Sequence, residues 1–267
     1  NLELTSIEQG TNTTSTGAEN SLREVVNIKE NGNAQDFPLE VLVLKDFKSG
    51  ISVTVLCACF VHLQDLSINF CDALIHWPER EFQGLVSLRK LQISFCNNLI
   101  GYAPDSAEPS TSSETSQLLP SLESLVIKAC HRLVEVFNVP PSLRRMKIEH
   151  CEMVESPFGR RLQQGQSALS IHQQSSSMPE VSSSSPGAVP EHLEELTLIM
   201  CYGLTGVLHL HPSLKELVIR RCGGLTSLES RSGELPSLQH LSLSECLTLS
   251  SLPDEPVSYL LREYLGL

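Results

Sequence analysis

Long apolar runs are missing from this 267-residue sequence, and no stretch approaches the length needed to cross a bilayer. Basic charge is also scarce: Lys+Arg 19 against Asp+Glu 31 leave a formal net charge of -12. That balance argues against attraction of the whole surface to nucleic acid or to an anionic membrane. The first thirty residues lack a basic segment followed by an apolar core, so no secretory signal is read there. The sequence opens on Asn1 rather than Met, and Asn-Leu-Glu-Leu reads like the middle of a repeat, so a piece of a longer, soluble chain is expected. A single glycosylation sequon, Asn12-Thr13-Thr14, is present.

What the sequence does hold is a recurring phrase, L-x-x-[LM]-x-[IL]-x-x-C. It runs from Leu63 to Cys71, Leu88 to Cys96, Leu122 to Cys130, Leu143 to Cys151, Leu193 to Cys201, Leu214 to Cys222 and Leu238 to Cys246. Leu74, Leu99, Leu133, Leu204, Leu225 and Leu249 follow three residues after the cysteine, with Val154 in the seventh copy. A weaker copy starts at Leu39 with Phe47 in place of cysteine; Leu22 and Val25, and Leu261 and Tyr264, suggest degenerate copies at either end. Within each phrase apolar and polar residues alternate, the period of a short strand with one buried face. The expected fold is an α/β repeat solenoid of nine to ten coils. It is a leucine-rich repeat horseshoe, with a concave parallel β-sheet and a convex side of loops and short turns.

Most steps between phrases are 21 to 25 residues, too short for a long convex helix. Pro120, Pro141, Pro212 and Pro236 open Pro-Ser-Leu entries into the strands, where proline sets the chain direction. Two steps are longer. Their excess, at about 101–118 and 159–189, is Ser- and Gln-rich and apolar-poor, so it is expected to form mobile loops. Residues 1–36 read as degenerate repeat material with a polar Thr/Ser-rich loop, and 37–267 as the solenoid.

Nine cysteines are an odd number, and the coil dictates their spacing, so a disulfide framework is not expected. At the ninth repeat position a thiol turns inward, near the backbone of the neighbouring coil. Reduced thiols in this number imply the cytosol or nucleus. Cys57 and Cys59 lie off this register. His209 and His211 alternate between Cys201 and Cys222, but those cysteines belong to the core register, so zinc is set aside. His131 and His150 adjoin repeat cysteines; neighbours along a strand face opposite sides, which argues against a cysteine–histidine nucleophile. No enzyme, cofactor or metal site is expected.

The segments LPSLESLVIKACHRL, HPSLKELVIRRCGGLTSLES and LPSLQHLSLSECLTLSSLPDEP resemble the C-terminal repeat domain of plant intracellular immune receptors. The nearest class is the coiled-coil nucleotide-binding disease resistance proteins of grasses, and the likeness covers roughly residues 37–265. It implies recognition of pathogen effectors, directly or through a guarded host protein. It also implies packing on, and autoinhibition of, a nucleotide-binding domain elsewhere in the full chain. No Gly-Lys-Ser/Thr of a phosphate loop occurs here. A substrate-recruiting ubiquitin-ligase adaptor is the alternative; its repeats would be more regular and carry a convex helix. A secreted receptor ectodomain comes third.

Repeat positions two, three, five, seven and eight should face outward. Over eight copies they hold ten basic residues, Lys45, Arg89, Lys90, Lys128, Arg144, Arg145, Lys147, Lys215, Arg220 and Arg221, against nine acidic ones. A mildly basic strip on an acidic body would favour a partner with an acidic patch. Arg144, Arg145 and Lys147 form one cluster, and Lys215, Arg220 and Arg221 another. Both read either as a solvated charged face or as a docking site. Phe70 and Phe95 at position eight of successive coils either stack outward as an anchor, with Ile199 and Met200 further along, or turn into the core. Trp77 reads as a packing residue.

Overall fold

The computed structural model describes residues 2–5, 39–46, 62–103, 118–159, 189–230 and 233–253. Cys57, Cys59, Phe47, the bulk of both polar insertions and the degenerate copies at Leu22 and Leu261 lie outside the described residues.

Each phrase forms one strand. β1 (Leu2–Thr5), β2 (Val41–Lys45), β3 (Asp65–Asn69), β4 (Lys90–Ser94), β5 (Ser124–Lys128), β6 (Arg145–Glu149), β7 (Glu195–Ile199), β9 (Glu216–Arg220) and β11 (His240–Ser244) make a nine-stranded sheet. Every pairing is parallel, and the leucine at position four meets its counterpart in the next coil, as in Leu42 on Leu66 and Leu66 on Leu91. The inward residues of the inner coils are almost fully covered: Ile68, Leu125, Ile148, Leu196 and Ile219 are 0–2% exposed. Burying such a side chain contributes roughly 1.5–3 kcal/mol. The core is therefore a column that grows by stacking, not a central ball.

Pro-Ser-Leu acquires a specific geometry. The residue before the proline accepts a hydrogen bond from the leucine N–H (Leu122 to Leu119 at 2.9 Å, Leu143 to Pro140 at 3.1 Å), so proline occupies the second place of a tight turn, where its fixed φ is favoured. In two coils the serine hydroxyl then donates to the preceding coil, Ser142 to Leu122 O and Ser213 to Leu193 O, both at 2.8 Å.

The cysteines form an inward column. Cys71, Cys96, Cys151, Cys201, Cys222 and Cys246 each offer one S–H between two acceptors, the position-six carbonyl of the coil before at 3.6–4.0 Å and their own position-seven carbonyl at 3.3–3.6 Å. All seven are free thiols, six of them buried. Cys246 in the last coil is the half-exposed one, and burial still pushes its pKa up. Hydrogen bonding with Cys222 and burial hold the Cys201 thiol well above its usual range. With a thiol reagent under native conditions, Cys246 is expected to be modified first among the seven, and the others only on unfolding. Peptide mapping of the label checks this, and equal labelling of Cys130 would show that the column opens.

The return side differs from the expected loops in one respect. After the turn that closes each cysteine on its following leucine, consecutive coils pair again. β8 (Gly206–Leu210) lies parallel to β10 (Leu225–Ser230), and His76 with Gly101, Glu135 with Ser156 and Ser227 with Ser251 form single parallel bridges. The physical reason is that stacked coils leave the same backbone groups adjacent, and buried N–H and C=O groups must be paired. Regular helix on this side, among the described residues, is the short α1 (Glu79–Gly84). Phe82 of α1 packs with Trp77 and Phe137 as an aromatic cluster, Trp77 meeting Phe137 edge-on at 5.2 Å. Trp77 is 4% exposed and its indole N–H donates to Glu135 O at 3.0 Å, as a packing residue should.

Candidate protein-binding face

Position eight, the last residue before each cysteine, carries a feature that its side chains conceal. Asp46, Phe70, Phe95, Ala129, His150, Met200, Arg221 and Glu245 all have φ between 50 and 57°. The left-handed turn ends the strand while letting the N–H reach the position-seven carbonyl of the next coil, as in Phe70 to Ser94 O and Phe95 to Lys128 O, both at 2.9 Å. It also swings the position-eight side chain to the outer edge of the concave face.

There Phe70 and Phe95 stack with ring centroids 4.6 Å apart and planes 3° from parallel. They are 48% and 43% exposed, so the outward arrangement holds and the core alternative does not. Met153 and Tyr202, one or two residues past their cysteines, add exposed apolar surface that the repeat pattern did not single out. Position ten or eleven of the phrase is the signal that would have found them. Ile199 and Met200 are only half-exposed.

The basic residues sit on the exposed face, but most are tied to an acidic neighbour across the strands. Lys90 meets Asp65 at 3.1 Å and Arg89 meets Glu123 at 3.2 Å. Lys128 and Lys147 share Glu149 at 3.1 and 2.9 Å. Arg144 and Lys215 both hold Glu194 at 2.9 Å, so the two basic clusters are joined through the acidic coil between them. Arg221 pairs with Glu245 at 2.9 Å, and Arg220 donates to the Ser242 hydroxyl at 3.3 Å. Arg145 has no ion-pair partner among the described residues and is exposed. Hydrogen bonds from Lys215 and then Arg144 lower the Glu194 pKa. At Glu149 burial works upward, but Lys147 and Lys128 lower the pKa on balance. These pairs favour the folded state above the ordinary carboxylate pKa and release it as pH falls through the depressed folded values. Exposed as they are, each contributes little to stability.

His209 lies 3.8 Å from Glu229 on the return-side sheet, and His211 bonds Ser213 at 2.9 Å. Neither turns toward the cysteine column. Among the described residues no group of three or more His, Cys, Asp or Glu is arranged to hold a metal, and no helix is long and apolar enough to cross a membrane.

Residues 110–247 match the family model of plant disease resistance protein RPS2-like leucine-rich repeats, just over half of the sequence. The chain belongs to this family. The RPS2-like segment takes in the coils of β5, β6, β7, β9 and β11, hence both basic clusters; the phenylalanine pair lies before it. The leucine-rich repeat domain of the type III effector XCV3220 (XopL) is a similar solved structure, at 19% sequence identity and a TM-score of 0.46, covering 92% of this chain and 81% of that one. No curated protein matches the chain. An RPS2-like repeat domain is a non-catalytic recognition module, and a leucine-rich-repeat protein-interaction surface is what the parallel sheet presents here.

Proposed function

We propose that this domain senses pathogen effectors, directly or through a guarded host protein, as part of a longer plant disease resistance receptor. In that receptor it also restrains a nucleotide-binding module, and it works in the cytosol or nucleus, where the buried thiols stay reduced. The observation that carries the reading is the solvent-facing Phe70–Phe95 stack. Cross-strand ion pairs give most charged residues of the face an internal role. Nothing inside the solenoid requires two phenyl rings held in left-handed backbone at its rim, and exposed aromatic pairs are typical anchors for a protein partner. The basic strip, with Arg145 held in no ion pair among the described residues, suits an acidic patch on the restrained module or on the sensed protein.

The test is a set of three variants in the full-length receptor. Phe70→Ala with Phe95→Ala should weaken binding of the sensed protein by about tenfold or more, leaving the melting temperature nearly unchanged. Arg144→Glu, Arg145→Glu and Lys147→Glu together should alter activation, with Arg145→Ala alone the cleaner variant because it breaks no ion pair and sets no like charge opposite Glu195. A folded double phenylalanine variant that binds and signals like the parent would remove the rim from consideration.

A further inference from the structure

The left-handed row at position eight is uneven in size. Among its described members Ala129 alone has no side chain beyond Cβ. Backbone strain does not dictate the small residue, since Phe70 and Phe95 hold φ of 55 and 57° where Ala129 holds 50°. The phenyl centroids lie 4.6 Å apart, close to the roughly 4.8 Å between neighbouring strands, so the rings meet face to face along the stacking direction. Phe70 covers one face of Phe95, and the other face is turned toward the coil of β5. There Ala129 is recessed, 8% exposed, between Phe95 at 43% and the exposed His150 of the following coil. The backbone keeps its step across this place: Phe95 N–H reaches Lys128 O at 2.9 Å and Ala129 N–H reaches Glu149 O at 2.8 Å. Phe95 and His150 therefore stand two steps apart, roughly 10 Å. A ring midway between them would lie about 5 Å from each, within the range for stacked aromatic side chains.

Charge around the gap is opposite in sign to that of the whole chain, which is -12. Lys128 and Lys147 share the single carboxylate of Glu149, which leaves one positive charge over. Arg132, three residues past Ala129, is exposed and held in no ion pair among the described residues; the exposed Glu152 offsets one charge of this surplus. An acidic segment is thus favoured here over a basic one, and a guanidinium is disfavoured as the stacking group. We propose that the gap over Ala129 takes an aromatic side chain of the protein partner, carried in an acidic segment, which extends the Phe70–Phe95 stack toward His150. This rests on the reading of the rim as a protein-binding edge and names what that edge takes.

The probe is a labelled acidic peptide, acetyl-Asp-Glu-Trp-Glu-Asp, titrated into the 267-residue chain and followed by fluorescence anisotropy. It should bind about tenfold or more tightly than the same peptide with alanine for tryptophan, and more tightly than one with lysine for each acidic residue. Ala129→Phe fills the gap with a side chain the row already accepts and should weaken binding about tenfold or more, whereas Ala129→Ser should bind like the parent. Absence of saturable binding, equal binding of the alanine peptide, tighter binding of the lysine peptide, or unchanged binding by a folded Ala129→Phe would each overturn the proposal. A concentration-dependent dimer, seen by light scattering and lost in Ala129→Phe, would give the gap to a second copy and overturn the assignment to a partner. If Phe70→Ala with Phe95→Ala releases the sensed protein while Ala129→Phe retains it, the gap is excluded and the rim reading stands.

Discussion

Trp77→Ala should lower the unfolding free energy of the coils around it by about 3–5 kcal/mol, the range for removing a large buried aromatic side chain. The indole is 4% exposed, touches Phe82 and Phe137, and spans the coil interval to Glu135 through its N–H. Alanine removes the ring contacts and the indole donor to the Glu135 carbonyl. Trp77→Phe separates the two contributions: most of the ring volume remains, and loss of the hydrogen bond should cost about 1–3 kcal/mol. The ring reaches from the coil of β3 to that of β5, so the deficit should be confined to the β3–β5 coils and fade beyond them along the solenoid. Denaturant titration by circular dichroism gives the total, and hydrogen exchange its location. A loss below about 1 kcal/mol for alanine would mean the convex aromatic cluster is ornamental to the fold.

Gly224→Ala should be severely destabilising while its neighbour Gly223→Ala is nearly silent. A Cβ on Gly224 would lie 2.5 Å from the Leu204 carbonyl oxygen, 2.9 Å from Thr205 Cγ2 and 3.2 Å from the Tyr202 carbonyl oxygen; a Cβ on Gly223 meets nothing within 4 Å. The obstruction at Gly224 is mainly backbone of the preceding coil, so relief requires the coils to part. That separation strains β8 against β10 and the Cys222 contact with Leu198 O behind them. We expect about 1–3 kcal/mol or more at Gly224, as for overpacking in a tight core, and within about 0.5 kcal/mol at Gly223. Thermal melts of the two single variants decide the matter. Equal stability would show that adjacent coils slide more freely than their packing implies.

Period two in Leu125-Val126-Ile127 or Met146-Lys147-Ile148 placed each strand, because one face had to be apolar for coils to stack. The tight turn at Pro-Ser-Leu was legible for a similar reason: proline both blocks helix and presets φ. The left-handed row at position eight was not legible. Asp46, Phe70, Ala129, His150 and Arg221 share no side-chain chemistry; what they share is an N–H donated to the next coil's carbonyl, which no local sequence contains. The return-side strands were hidden likewise, since bridges such as His76 to Gly101 depend on which coil lies alongside.

The candidate face divides the same way. Residue type and register placed Arg144, Lys147, Lys215 and Arg221 outward. Distance along the chain could not show that Glu194 binds Arg144 and Lys215 together, because Arg144 and Glu194 become neighbours only when the long insertion between them is bridged by stacking. Nor could it choose between a core and a rim position for the phenylalanines, which rested on the sign of a single φ. By itself the sequence determined the repeat, its inward residues, the thiol column and the absence of a phosphate loop, all properties of one coil. Tertiary structure alone decided the ion-pair pairing, the aromatic stack and the second ladder, because each arises from contacts between coils.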